Sequence, residues 1–401
     1  MAPKNGATPF LKSGNFLRTW SECEARPCEL DGVALSLDRP PPPLPSSAPA
    51  VVAGPAVTTA AVTKVKNDPW VNLFSAAIDG ASAVQSAVHA LQNPSPSPPP
   101  KAPAAAAAKA PPEPPPVPPF DLQDIPGAMR QLSMPMSATL MDRWFNGQLN
   151  YSTTDEDEKD EIDQNGAPYP ASMIDMTSIT MKWVLDFTRA KNDFDTLTES
   201  RMLENPAALD ELARKLSPYK HRTALHPWRE CQGDRRRLHK EFQFQFIGVN
   251  ASWPERIAIQ MMEEVSNRGV PDDLTGALGA FNFYAAIAEA TFNQQRGTAT
   301  VTRVAIYVKD RYTFVTKAGS APQYLGHWNK SQVAIQHRYA AAAGLNMQLS
   351  HSPVQIGKDV FYPVGNADFR AWQQQHGRGG DFVIYSDILW VTLNHPFTVR
   401  L

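Results

Sequence analysis

Two tracts starved of backbone donors constrain this chain more than any other feature. Residues 39–56 hold Pro40, Pro41, Pro42, Pro43, Pro45, Pro49 and Pro55 in an Ala, Ser and Val background, and proline fixes φ and has no N–H to give. Residues 94–119 read PSPSPPPKAPAAAAAKAPPEPPPVPP, a composition that cannot bury enough apolar surface to offset its ordering entropy. The first tract is expected to be a semi-rigid polyproline II spacer and the second a domain boundary. The expected organisation is therefore a mostly disordered Pro/Ala-rich arm over 1–119 and an α+β globular region over 120–401. Between the spacers, Asp68-Pro69-Trp70 opens one weakly amphipathic helix near 70–92, with Leu73, Ala77, Ala81, Val84, Val88 and Leu91 at three- and four-residue spacing. Such a helix either docks a partner or rests on the main domain.

Bulk properties exclude several function classes. A net charge of -2 gives no global attraction to nucleic acid or anionic lipid, so such contacts would have to be local. The three cysteines, Cys23, Cys28 and Cys231, are an odd number in a long chain, which argues against a disulfide framework. No second Cys/His pair stands near Cys23 and Cys28 at zinc spacing, so no metal or cofactor is called for. The opening MAPKNGATPFLKSG lacks the apolar core of a secretory signal. Trp70 to Leu91 is broken by Asn72, Asp79, Gln85 and His89, which disfavours a stable membrane span and leaves a pore-forming toxin with little support. Synthesis in a reducing cytoplasm is expected, with any export left to a dedicated machine.

Within the globular region, residues 120–217 are expected to be mainly helical. Ser137 precedes Leu140, Met141, Trp144 and Phe145 on one face, and the acidic run Asp155 to Asp163 is expected to be a solvated loop. Met173 to Leu197 has the length and anchors of one long helix, and Asn205-Pro206 starts another that carries Leu209, Leu212 and Leu216. Residues 218–401 are expected to mix strands and helices. Phe242, Phe244 and Phe246 alternate with glutamines as in a half-buried strand. A helix is expected from Asp272 or Asp273 through Leu274, Leu278, Phe281, Ala285, Ala288 and Phe292. Strand follows over Thr300 to Lys309, then a short helix from Asn366 with Phe369, Trp372 and His376, and strand again over Phe382 to Leu393.

Chemistry has to be sought in dispersed residues, because Gly-x-Ser-x-Gly, His-Glu-x-x-His, a P-loop and Cys-x-x-Cys are all missing. The segment His376-Gly377-Arg378-Gly379-Gly380-Asp381 puts an imidazole, a guanidinium and a carboxylate beside a Gly-rich turn. A helix C-cap followed by a turn explains it equally. Asp310 follows a strand and His327 a turn, so His327 and His376 with Asp310 or Asp387 would supply an acid/base pair if they converge. The candidate catalytic residues are thus His376, Asp387, His327, Asp310, Arg378 and Asp381. Arg229, Arg235, Arg236, Arg237, His239 and Lys240 form the best local cluster for phosphate, but interleaved Glu230, Asp234 and Glu241 weaken a nucleic-acid reading.

The segments IPGAMRQLSMPMSATLMDRWFNG (125–147), LHKEFQFQFIG (238–248), YVKDRYTF (307–314), QYLGHWN (323–329) and FRAWQQQHGRGGDFVIYSD (369–387) resemble an uncharacterised bacterial family often encoded beside type VI secretion spike genes. The resemblance implies an antibacterial effector or cargo of a contractile injection machine, with a possibly hydrolase-like globular region. It implies partners too: a spike protein or adaptor chaperone held through the N-terminal arm, and an immunity protein. A noncatalytic adaptor or spike-associated binding protein is the alternative, motivated by the proline spacers and the missing motifs.

Overall fold

The computed structural model describes residues 7–9, 11–13, 20–21, 29–31, 35–44, 120–250, 271–315, 323–334, 353–356 and 359–401. The helix expected near 70–92, and Cys23 and Cys28, lie outside the described residues. Short strands β1 (Ala7–Pro9), β2 (Leu11–Ser13), β3 (Trp20–Ser21), β4 (Glu29–Asp31) and β5 (Leu35–Ser36) precede β6 (Phe120–Asp121). β5 runs parallel to β6, with Leu35 opposite Phe120. Asp121 ties the junction together, since its carboxylate accepts from Ser36 Oγ at 2.8 Å and from the Gln123 amide at 3.0 Å.

Helices α1 (Ile125–Gln131) and α2 (Pro135–Asn146) follow. Two features start α2 ahead of Ser137: Pro135 suits a first helical turn, and Asp273 caps the helix from a distant element. The Asp273 carboxylate accepts from the Met136 and Ser137 amides at 2.9 and 2.8 Å and from Ser137 Oγ at 2.7 Å. The expected face is core, with Leu140, Met141, Trp144 and Phe145 all buried. The acidic run does not remain a loop. Thr154 caps α3 (Asp155–Asp160) through its hydroxyl, 3.0 Å from the Asp157 amide, and four acidic residues in the first turn complement the helix dipole.

The single helix expected over Met173–Leu197 is divided into β7 (Ile174–Asp175), α4 (Met181–Leu185) and α5 (Thr188–Thr198). The cause is local: the Asp175 carboxylate accepts from the amides of Thr177 and Ser178 at 2.9 Å each and from the Ser178 hydroxyl at 2.5 Å. Side-chain bonds of this kind outcompete a helix for the same backbone. After α6 (Ser200–Leu203), α7 (Pro206–Leu216) begins as expected, with Asn205 capping the Ala208 amide at 3.0 Å and Leu212 and Leu216 buried.

β8 (Ala224–Leu225), α8 (Pro227–Glu230) and α9 (Arg235–Phe242) lead into β9 (Gln243–Val249). Of the alternating phenylalanines, Phe242 closes α9, Phe244 is buried in β9, and Phe246 lies exposed beside the Tyr284 ring. The helix expected from Asp272 through Phe292 is corrected. α10 (Asp273–Leu278) stops at Gly279, where φ is +58°, and the chain continues as β10 (Phe281–Asn293). Ala285, Ala286, Ile287 and Ala288 are buried in succession. A strand covered on both faces shows a continuous apolar run, which also satisfies a three- and four-residue spacing.

β10 turns back antiparallel onto β11 (Thr298–Tyr312), the centre of a seven-stranded sheet. Next come β12 (Tyr324–Trp328), β13 (Val333–Ala334), β14 (Val354–Ile356) and β15 (Asp359–Gly365), then α11 (Asn366–His376), β16 (Phe382–Tyr385) and β17 (Leu389–Arg400). The large sheet is ordered β7-β16-β11-β10-β8, with β17 also on β11 and β9 also on β10; a second sheet runs β13-β12-β15-β14-β2-β3. The free side of β11 is thus shared by β16 at Lys309–Tyr312 and β17 at Thr298–Ile306. Trp144 of α2 packs on Phe314, Phe369 and Trp372, so the helices and the sheet share one core.

Candidate functional site

Alternate residues of a strand point to one face. On one face of β11 this places Tyr307, Lys309 and Arg311 in a row, continued past the strand end by Thr313, and each meets a titratable or acidic partner. Lys309 Nζ stands 2.8 Å from Glu161 Oε1, which also accepts from the Tyr385 hydroxyl at 2.6 Å, while Arg236 Nε donates to Glu161 Oε2 at 2.5 Å. Arg311 pairs with Glu158 at 3.2 Å. Thr313 donates to Asp381 Oδ2 at 2.9 Å, and Asp381 is gripped further by Arg370 at 2.5 Å and by the Trp144 indole N–H at 2.9 Å. At the other end the Tyr307 hydroxyl lies 2.9 Å from His239 Nδ1, and the His239 ring meets Tyr284 edge-on at 4.8 Å.

The ionisation of this row follows from its burial. Burial alone would raise the Glu161 carboxyl, but Lys309, Tyr385 and Arg236 hold it down at about 2. Burial lowers Lys309 despite Glu161 beside it. His239 is driven down to about 3 by burial and by the Lys309 charge, so its imidazole is neutral. Burial raises Glu158 against the pull of Arg311. Glu161 also carries a backbone strain, with φ +58° at the end of α3. A left-handed non-glycine residue costs about 1–2 kcal/mol, and residues held so concentrate at functional sites. Chemically the row offers a fixed carboxylate, a neutral imidazole and a largely buried ammonium.

The six residues singled out in the sequence occupy several places. Asp381 sits at one end of the row, paired with Arg370 rather than with its near neighbour Arg378. Arg378 instead donates to the Gly147 and Asn146 carbonyls at 2.9 and 3.1 Å, capping the C-terminus of α2. Gly379, at φ +97°, leaves room for the Trp144 ring, which a Cβ would meet at 2.8 Å. His376 Nε2 donates to the Leu37 carbonyl at 2.7 Å and its ring lies on Trp372. Asp387 accepts from the Met181 amide at 2.6 Å, at the first residue of α4. His327 is fully buried in β12, with Nδ1 2.5 Å from the Tyr324 hydroxyl.

Asp310 lies within β11, on the face opposite Lys309, and burial pushes its carboxyl up to about 7. In the ladder Asp310 pairs with Ile384 of β16, whereas Asp387 lies in the connection between β16 and β17, outside both ladders.

Three arginines of the basic cluster are also committed. Arg235 donates to the Met176 carbonyl at 2.9 Å, Arg236 to Glu161, and Arg237 to Glu241 at 3.0 Å. The Cys231 thiol is buried and pushed up to about 11. Among the described residues no group of three or more His, Cys, Asp or Glu is placed to hold a metal ion, and no helix is long and apolar enough to cross a membrane. A cavity of about 340 Å³ lies elsewhere, lined by Ser36, Asp38, Arg39, Phe120, Asp121 and Lys330.

Glu161, Lys309 and Tyr385 carry no motif that marks them in the sequence. The period-2 row Lys309, Arg311 and Thr313 was a legible signal; that its carboxylates come from Glu158 and Glu161, some 150 residues earlier, was not. No curated protein and no solved structure matches the chain. Residues 120–401, which contain the whole row, match the model of a family of unknown function, DUF6402, and the chain belongs to that family.

Proposed function

We propose that this chain is a cargo of a bacterial type VI secretion system, made in the cytoplasm and delivered outside the cell, whose globular region acts by binding rather than through a His376–Asp387 acid/base pair. The observation that carries the binding half is the engagement of the sequence candidates. His376 holds a backbone carbonyl, Asp387 a helix N-terminal amide, and Arg378 two carbonyls. A side chain fixed as a structural donor or acceptor is poorly placed to exchange a proton with substrate. The secretion half rests on the likeness of the five segments to a family encoded beside spike genes, and on the Pro/Ala-rich composition of 45–119, which suits a tether.

Full-length protein, with and without His376→Ala and Asp387→Ala together, is expressed in susceptible bacteria in the cytoplasm and directed to the periplasm. A spike protein is used as bait for both forms. The expected result is capture of both forms by the spike and an identical growth phenotype for both. Growth arrest in one compartment that disappears in the folded double variant would sink this reading.

A second reading, an enzymatic effector, is favoured by the row on β11, where strain at Glu161 coincides with perturbed ionisation at Lys309 and His239. It requires that His239→Gln abolish toxicity while leaving the protein folded; retained toxicity would reject it.

A further inference from the structure

The sheet is irregular on both sides of one point of β11. Opposite Thr302 and Arg303, β10 shifts register around Glu289, and β17 jumps from Thr392 to Phe397, leaving Leu393–Pro396 outside the ladder. Thr302 pairs with neither neighbour. At this same point two buried polar atoms lack partners, the Thr302 hydroxyl and Arg303 Nε. Bulges collect beside functional sites, and a buried donor without an acceptor is rare enough in folded proteins to require a reason.

Arg303 is partly buried, and among the described residues no carboxylate pairs with it. Glu289 is its cross-strand neighbour, yet the two form no ion pair. Its guanidinium lies 5.6 Å over the Trp390 ring, and Trp390 meets Trp228 edge-on at 5.6 Å; both indoles are partly buried at the core margin. A half-desolvated cation without a counter-ion costs stability unless something supplies the charge. The planar guanidinium fork matches an oxyanion with two oxygens side by side.

We propose that Arg303, lying over Trp390, which in turn meets Trp228, binds the carboxylate or phosphate of a ligand whose apolar part rests on these indoles. The site is separate from the Glu161 row and does not depend on the secretion reading.

Full-length protein with ¹⁵N-labelled indoles is titrated with sodium phosphate and, separately, sodium acetate, ionic strength being held with chloride. The Trp390 signal is assigned from Trp390→Phe. A saturable shift of that signal is expected, with affinity weakened about tenfold or more in Arg303→Met, which is about 1.4 kcal/mol or more. The anion that produces the shift names the class. Arg303→Lys should bind less tightly than the unsubstituted chain, because an ammonium cannot form the fork. Arg303→Met without anion should match or exceed the unsubstituted Tm, since it removes an unpaired charge.

No saturable shift with either anion up to about 0.1 M, enough to fill a millimolar site, overturns the proposal. So does a shift unchanged in Arg303→Met, or a fall in Tm with the shift retained, which marks a structural arginine. Should Arg303→Met fail to fold, Arg303→Lys decides: binding as tight as in the unsubstituted chain overturns the site.

Discussion

Replacing Glu161 with Gln tests the row on β11 most directly. The substitution keeps the shape and one acceptor for Tyr385 but removes the charge that faces Lys309 and Arg236. The Lys309 side chain is 9% exposed, so its ammonium is left nearly without solvent and without a counter-ion. Breaking a buried pair in this way costs about 3–5 kcal/mol. Linkage gives a similar figure: a carboxyl held at about 2 against its ordinary 4.5 contributes about 3 kcal/mol at neutral pH, trimmed by solvent screening. The strain at φ +58° is common to both side chains and cancels.

The sign of the pH dependence follows from the depressed value. Stability from Glu161 is fully present above about 4.5 and is lost as pH falls through about 2. Urea unfolding of the full chain and the variant at pH 7, 5 and 3.5 should therefore show a gap that narrows with acid. Adding Lys309→Met to Glu161→Gln should restore most of the loss, because the stranded ammonium is removed. A single-variant loss below about 1 kcal/mol at pH 7, the range of an exposed pair, would refute the reasoning. A gap as wide at pH 3.5 as at pH 7 would do the same.

Two further substitutions and one chemical probe examine other parts of the fold. Gly379→Ala should destabilise by about 2–4 kcal/mol, since it combines a left-handed φ of +97° with a Cβ 2.8 Å from the Trp144 ring; chemical denaturation measures it, and a loss below about 0.5 kcal/mol, the scale of a neutral surface change, would contradict the packing. Asp273→Asn should cost about 1–2 kcal/mol through the weakened cap on α2, seen as a lowered urea midpoint; an unchanged midpoint would show that the cap is not needed. In a chain with Cys23→Ser and Cys28→Ser, Cys231 should resist a thiol reagent at pH 8 until denaturant is added, its thiol being buried and held at about 11. Prompt labelling of the folded protein would place that thiol at the surface.

Periodicity and caps carried much of the fold into the sequence. Asn205-Pro206 opened its helix where expected because a side-chain cap and a first-turn proline act within four residues. Gly377 closed α11 for the same local reason. Failures came where a distant group intervened or a local side-chain bond competed with the helix. Asp273 moved the start of α2, and Asp175 held Thr177 and Ser178 out of a helix. Burial of β10 on both faces erased the alternation that would have marked it as a strand. At the candidate site, Asp381 was visible as an acid beside glycines, but its partner Arg370 was not, because their pairing depends on how α11 turns at Gly377.

The sequence by itself determined what lies within a few residues: donor-poor proline tracts, helix ends set by caps, apolar faces, and an α+β composition for 120–401. Only the tertiary structure decided which charges meet. Glu161 and Glu158, at and near the end of α3, reach Lys309 and Arg311 of β11, and Arg303 lies over Trp390 of β17 with no ion pair among the described residues. Local conformation is fixed by backbone sterics and neighbouring side chains. The state of a buried charge is fixed by whatever the chain brings within a few ångströms from anywhere along its length.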